Sequence, residues 1–389
     1  MTSTEALKDS HTGQDFRIPE LDGLRGIAIL LVCLFHFNMV ANPAGRLEQV
    51  VDAFCSHLWF GVDLFFVLSG FLITTILLEA KGSPRFFSSF YMRRVLRILP
   101  LYYLTLLVYL IVSIFRQRYL GQSAEYRLQL AYWLYVQNWA IIWNKSIVIL
   151  GHFWSLAVEE QFYLVWPIII YFASAKFLKW LCGSLIGLAF LFKLGLLGFQ
   201  FPSSDTSVAA SYTLTPARVD TLAIGGLVAL MARHYLRFRP IWFAFFSLVF
   251  TVAFLFLNFT QGRHTFWYKA VEYSAIAPVC GFLIARSSCR TGNHGFFDTF
   301  LRSRALRSIG KYSYAMYIVH WPLNVLLHWR AAAIIEKQPT NLQTPAKLAY
   351  IFLLTAFTYA LGWMSWNVIE KRILSLKRLF PMGRVATVR

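Results

Sequence analysis

Apolar residues run through this chain in long blocks separated by short polar segments. Stretches such as Leu58–Leu78, Phe153–Phe172, Ile241–Leu257 and Ala349–Met364 approach or exceed the length of helix that crosses the hydrocarbon of a bilayer. No soluble core accounts for so many of them in one chain. The pattern predicts an all-α, polytopic integral membrane protein of about ten transmembrane helices. They fall at 24–40, 59–79, 99–115, 152–173, 180–200, 217–232, 240–258, 266–285, 312–329 and 346–368. An eleventh block, Tyr132–Trp143, is short and rich in Trp, Tyr, Gln and Asn. That composition suits an interfacial or re-entrant piece.

Composition agrees: 58% of the 389 residues are hydrophobic and 14% charged, against roughly a quarter charged in soluble domains. The formal net charge of +19 raises the possibility of a nucleic-acid partner. The basic residues sit instead in short loops between apolar blocks, with no basic stripe interleaved with aromatics, so nucleic acid is excluded. Ten spans with both termini cytoplasmic place about two thirds of the 37 Lys and Arg residues on the inner face and about a quarter on the outer, as the positive-inside rule asks. Counting 132–143 as a span would reverse the later loops and the C-terminal tail.

The chain then reads as a cytosolic tail over residues 1–17, one membrane domain over 18–372, and a basic cytosolic tail over 373–389. Nothing at the N-terminus resembles a cleaved signal peptide. The five cysteines (Cys33, Cys55, Cys182, Cys280, Cys289) lack ligand-like spacing and read as small hydrophobes. Gly183 and Gly187 would permit close helix packing on the fifth span.

Ionisable groups inside apolar helices are costly and mark function. Arg25 and His36 on the first span are eleven residues apart, which puts them within about 20° of one helix face and roughly 16 Å apart along the axis. Arg25 then lies at the inner rim and His36 near the outer surface. The plainer alternatives are an arginine that snorkels to headgroups and a histidine bonded to a neighbouring helix. Asp63, on the second span, falls near the depth of His36. On the fourth span His152, Ser155 and Glu159 follow at spacings of three and four, hence on one face. A buried histidine beside a carboxylate is a usual general base with its orienting partner, so His36, Asp63 and Glu159 are the expected catalytic set. A helix-packing polar network is the alternative. Arg218 and Asp220, at the outer end of the sixth span, read as a further pair that a simple interfacial ion pair would also explain. His320 in the ninth span is a second intramembrane histidine, read chiefly as a structural hydrogen-bonder, and Lys193 as a lysine that snorkels.

Arg93, Arg94 and Arg97 form the strongest basic cluster, in the cytosolic segment before the third span. Arg94 and Arg97, an i,i+3 pair at a helix start, suit a phosphate. An anchor meeting anionic lipid explains the charge equally well.

Six blocks, IPELDGLRGIAILLVCLFHF, WFGVDLFFVLSGFLI, FYMRRVLRILPLYYL, GHFWSLAVEEQFYLVWP, PARVDTLAIGGLVAL and IGKYSYAMYIVHWPL, together resemble the acyltransferase 3 family of bacterial membrane acyltransferases, in order and over about residues 18–372. The resemblance implies O-acylation of cell-envelope sugars or related hydroxyl compounds in the bacterial cytoplasmic membrane, with acetyl-CoA as the usual cytosolic donor. The family's arginine–histidine motif falls on Arg25 and His36, its Arg-x-x-Arg motif on Arg94 and Arg97, and its polar block on His152, Trp154, Ser155, Glu159 and Gln161. Some members carry an added esterase-like domain; this chain looks like a stand-alone form.

The expected mechanism docks the donor's phosphates at Arg25, Arg93, Arg94 and Arg97, runs its pantetheine arm along the first span, and uses His36 to deprotonate an acceptor hydroxyl. His152, Trp154, Ser155, Arg218 and Asp220 are assigned to the acceptor: an envelope glycan, a lipid-linked sugar or a small hydroxyl compound. No metal-protease, Walker or esterase motif is present, so direct transfer without a metal is the simpler expectation. Ser69 and Ser155 are the serines to test for a covalent intermediate. A secondary transporter is the competing class, since intramembrane His, Asp and Glu also couple protons, but the inverted repeats of such proteins are not evident. A catalytically silent membrane receptor would have no reason to keep both Arg25 and His36.

Overall fold

The structure is a computed structural model and describes residues 18–38, 46–120, 126–143, 149–199, 203–234, 244–249, 251–252, 256, 266–288 and 295–382. All regular elements among them are helical, and no strand occurs among the described residues. In chain order the helices are α1 (Pro19–Phe37), α2 (Arg46–Cys55), α3 (Gly61–Ala80), α4 (Phe86–Leu120), α5 (Tyr126–Trp133), α6 (Gln137–Trp143), α7 (Trp154–Phe172) and α8 (Ala175–Phe199). They continue as α9 (Ser204–Thr213), α10 (Thr215–His234), α11 (Phe266–Ser288), α12 (Phe296–Leu301), α13 (Arg304–Glu336) and α14 (Thr340–Ser365). About half of the predicted span 240–258, all of the tail 1–17 and residues 383–389 of the tail 373–389 lie outside the described residues.

By length and apolar composition, five helical stretches among the described residues are able to cross a membrane: Gln49–Ala80, Phe86–Tyr119, Ala175–Phe199, Asp205–Ala232 and Thr340–Leu379. Helices α1, α7, α11 and α13 have 19 residues or more, but their polar and ionisable residues dilute the apolar signal. The two classes differ in burial. The most apolar windows of Gln49–Ala80 and Asp205–Ala232 are 78% and 72% buried, whereas those of the other three stretches are 22% buried. Val108, Phe115, Leu188, Leu191 and Phe352 are all more than half exposed. Apolar faces of this extent are unusual against water and are what hydrocarbon demands.

The core is built on two close pairings, α1 along α13 and α3 along α10. A Cβ on Gly70 would come 2.0 Å from the Leu222 carbonyl oxygen, and one on Gly225 would come 2.1 Å from that of Val67. Only glycine allows α3 and α10 to approach this closely. Gly183 and Gly187, the glycines noted in sequence, have nothing within 4 Å of such a Cβ, so the close small-residue crossing falls elsewhere.

Several elements overrun their expected bounds. Helix α4 begins at Phe86, thirteen residues before the predicted span, because Phe86, Phe90 and Ile98 bury one face of the basic segment. The arginines therefore ride on a helix, and Pro100 lies inside it, as proline can within bundled membrane helices. The Tyr132–Trp143 block is split between α5 and α6, of eight and seven residues, each too short to cross. It clamps the start of α7: Gln137 Nε2 donates to Phe153 O (2.7 Å), and Gln161 Nε2 donates to Tyr135 O (2.7 Å) and Asn138 Oδ1 (3.0 Å). Lys81 Nζ closes the other end of α7, donating to Ile170 O (2.8 Å) and Ala173 O (2.6 Å), where a cation meets the last unpaired carbonyls.

Candidate active site

Two cavities lie back to back at the centre of the bundle. One, with about 830 Å³ of empty space including open solvent, is lined by Arg25, Arg94 and Arg97 together with Ser69, Ser155, Glu159, Tyr163 and Tyr314. The other, about 1360 Å³ on the same measure, is lined by His36, His57, His152, Trp59, Trp154, Tyr212, Lys269, Glu272, Tyr273 and Trp321. Val62 and Tyr317 line both. Between them the Tyr317 hydroxyl lies 2.5 Å from Ser155 Oγ and donates to the His152 carbonyl at 3.0 Å, so one hydroxyl pair forms part of the dividing wall.

In the arginine cavity, α1 supplies Arg25 and α4 supplies Arg94 and Arg97. The i,i+3 spacing turns both α4 side chains the same way. Arg93, one residue earlier and so about 100° round the helix, does not line the cavity. The Arg94 guanidinium lies over the Tyr163 ring, 5.3 Å from its centroid, and Tyr163 hydrogen-bonds Ser69. Glu159 and Glu160 are within electrostatic reach of Arg94. Three cationic side chains converge on one opening, with Glu159 beside them and Asp22 3.9 Å from Arg25, a setting suited to a polyanion.

In the histidine cavity, His36 occupies the last turn of α1 and is gripped from α13. Asn324 Nδ2 donates to His36 O (3.0 Å), and the Trp321 ring stands edge-on at 4.7 Å. His36 Nδ1 lies 2.9 Å from Val32 O and 3.3 Å from His320 Nε2. The carboxylate partner expected for His36 is not at its side: Glu159 lines the other cavity, and Asp63 is bonded to Arg218. His152 and Trp154 line the histidine cavity, whereas Ser155, one residue on, faces the arginine cavity. Trp59, Trp154, Tyr212, Tyr273 and Trp321 give the walls of this cavity an aromatic character, with Lys269 and Glu272 paired at 3.0 Å.

Behind this wall lies a buried cluster of four charges. Arg218 pairs with Asp63, and Lys193 donates to Asp220 Oδ2 at 2.5 Å and to Ser274 Oγ at 3.0 Å. All four residues are at most 2% exposed, and none lines either cavity. Two sequence readings are corrected here. Arg218 and Asp220 do not pair with each other, because i,i+2 positions diverge on a helix. Lys193 does not snorkel; a carboxylate on α10 meets it inside the bundle. The Arg218 guanidinium also sits over the rings of Tyr212 (5.1 Å), Phe66 (5.5 Å) and Trp154 (6.0 Å), which joins the cluster to the cavity wall.

His320 reads from sequence as structural, yet its Nε2 lies 3.3 Å from His36 Nδ1. Tyr317, one turn before it, was not singled out at all. The signal for both was their spacing of three on α13, which puts them on one helix face; Tyr317 lines both cavities, and His320 is buried behind them beside His36.

The arginines thus lie on one side of the wall at Tyr317 and His36 on the other. The chain belongs to the acyltransferase 3 family, whose acyltransferase domain matches residues 18–367. It is 30% identical over 386 residues to the "Putative peptidoglycan O-acetyltransferase YrhL" of Bacillus subtilis (strain 168), covering 93% of this chain and 56% of the relative. It is 28% identical over 381 residues to the peptidoglycan O-acetyltransferase OatA of Listeria monocytogenes, covering 92% and 56%. With the O-acetyltransferase OatA of Staphylococcus aureus (strain NCTC 8325 / PS 47) the figures are 29% over 333 residues, 80% and 51%. The chain thus spans about half the length of the curated relatives it matches. No solved structure matches it.

Proposed function

We propose that this chain is an O-acetyltransferase of the bacterial cytoplasmic membrane, crossing it ten times with both termini cytosolic. It moves an acetyl group from cytosolic acetyl-CoA to a hydroxyl of a cell-envelope carbohydrate, peptidoglycan being the acceptor class that the relatives' names favour. The observation that carries the reading is the pair of cavities sharing Val62 and Tyr317, one cationic and one holding His36. With the orientation given by the positive-inside rule, the cationic cavity opens to the cytosol and the histidine cavity to the outside.

Arg25, Arg94 and Arg97 hold the donor's phosphates, and the roughly 16 Å between Arg25 and His36 along α1 is within reach of the pantetheine arm. Aromatic walls at Trp59, Trp154 and Tyr212 suit the flat apolar faces of a sugar ring. His36 Nε2 takes the proton of the acceptor hydroxyl. The oxygen attacks the thioester carbonyl carbon, the carbon–sulfur bond breaks, and the departing thiolate takes the proton from His36 to leave as free thiol. Glu159 lies on the donor side, where it orders Arg94 and polarises the passage rather than serving His36. Asp63, Arg218 and Asp220 support the acceptor wall from behind.

Arg94→Ala tests the donor assignment. In membranes supplied with acetyl-CoA, removing one charge-assisted phosphate contact is expected to raise the KM for acetyl-CoA by about tenfold with a smaller change in kcat. An unchanged KM would return the cluster to lipid anchoring and remove the donor reading.

A further inference from the structure

His320 lies near the middle of α13 and is fully buried, and the mechanism above gives it no task. Its Nδ1 stands 2.6 Å from the Tyr317 carbonyl oxygen. A lone pair on that nitrogen would oppose the lone pairs of the carbonyl, so Nδ1 carries the hydrogen and donates it. His320 Nε2 is therefore a bare acceptor, and it points at His36 Nδ1, 3.3 Å away. The same argument applies to His36, whose Nδ1 is 2.9 Å from Val32 O. That nitrogen holds the hydrogen and shares it between Val32 O and His320 Nε2. Two backbone carbonyls thus set both tautomers in one direction, and the free lone pair of His36 is left on Nε2.

We propose that His320 is the positioning residue of His36. Its neutral imidazole accepts His36 Nδ1–H, locks the ring and tautomer that expose Nε2, and disperses the positive charge formed when Nε2 takes the acceptor's proton. This is the place a carboxylate fills in a serine-hydrolase triad. A carboxylate here would be charged while His36 is neutral, and a buried charge without a partner is costly. A neutral partner avoids that cost at rest and still stabilises the imidazolium in the transition state. One proton passes from acceptor to His36 and on to the leaving thiolate; His320 neither gains nor loses one.

The proposal rests on His36 as the base, and the test separates the two claims. An asparagine at 320 places its amide where Nδ1 stands, within reach of Tyr317 O but short of His36. A glutamine reaches the place of Nε2 and offers an oxygen to His36 Nδ1–H. Both are polar and of similar size, so a merely structural role predicts similar behaviour. Membranes bearing His320→Asn, His320→Gln, His36→Ala and the double variant His36→Ala/His320→Asn are assayed with labelled acetyl-CoA, at equal amounts of folded protein judged by gel filtration in detergent. The expected result is a kcat for His320→Asn lower by on the order of 10²-fold with the KM for acetyl-CoA unchanged. His320→Gln is expected to stay within about tenfold of wild type, and the double variant to be no slower than His36→Ala, as for residues acting as one unit. Equal kcat for the Asn and Gln variants, or a further loss in the double variant, would overturn the role of His320. Wild-type transfer by His36→Ala would instead overturn the base on which it acts.

Discussion

Replacing His36 with alanine is expected to lower acetyl transfer by a factor of 10² to 10⁴, the usual contribution of a positioned general base. The side chain is half-buried at the end of α1 and lines the cavity away from the arginines. Its main tie to α13 that does not involve the ring, the bond from Asn324 Nδ2 to the His36 carbonyl, is a backbone contact and survives the substitution. The bundle is therefore expected to remain folded and to bind donor normally. Label transfer from acetyl-CoA, normalised to folded protein, measures the effect. Activity within twofold of wild type would remove His36 from the chemistry.

The largest effect on stability is expected at the buried charges. Arg218→Leu leaves Asp63 fully buried without its cation, and breaking such a pair costs about 3–5 kcal/mol. The pairing joins α3 to α10, one of the two close crossings of the core, so the damage spreads to the wall at Trp154 and Tyr212. Among the described residues, Asp63 Oδ2 and Arg218 Nε and Nη1 have no hydrogen-bond partner, so the pair is incompletely satisfied there. Replacing both charges, as Asp63→Asn/Arg218→Leu, is therefore expected to recover most of the loss, since buried ion pairs exchanged for neutral groups are often close to neutral in stability. Thermal unfolding in detergent distinguishes the cases. A single variant as stable as wild type, or a double variant less stable than the single, would contradict this account.

Sequence reading reached whatever a single helix determines. Arg25 and His36 share a helix, so their separation and common face followed from helical geometry, and the structure places them in adjoining cavities. Arg94 and Arg97 were legible for the same reason, although their helix starts earlier than the apolar count suggested, because a buried stripe of Phe86, Phe90 and Ile98 outweighs the charges between. Contacts between helices were not legible. Lys193 and Asp220 are 27 residues apart, Asp63 and Arg218 are 155 apart, and His36 and His320 are 284 apart. Nothing in local pattern says which of several intramembrane charges will meet. The sequence therefore paired Arg218 with its neighbour Asp220 and offered His36 a carboxylate, whereas packing of α3 on α10 and of α1 on α13 chose other partners. The division of the polar block was hidden as well. His152 and Ser155 share a face by spacing, yet the wall around Tyr317 runs between them.

Donor and acceptor are expected to enter from opposite sides of the membrane and meet at His36. Sealed vesicles of defined orientation, given labelled acetyl-CoA on one side and a soluble peptidoglycan fragment on the other, test it directly. Transfer is expected when acetyl-CoA faces the side bearing Arg94 and Arg97 and the glycan faces the side bearing His36, with neither reagent crossing. Transfer only when both reagents share one side, or only in leaky vesicles, would contradict it.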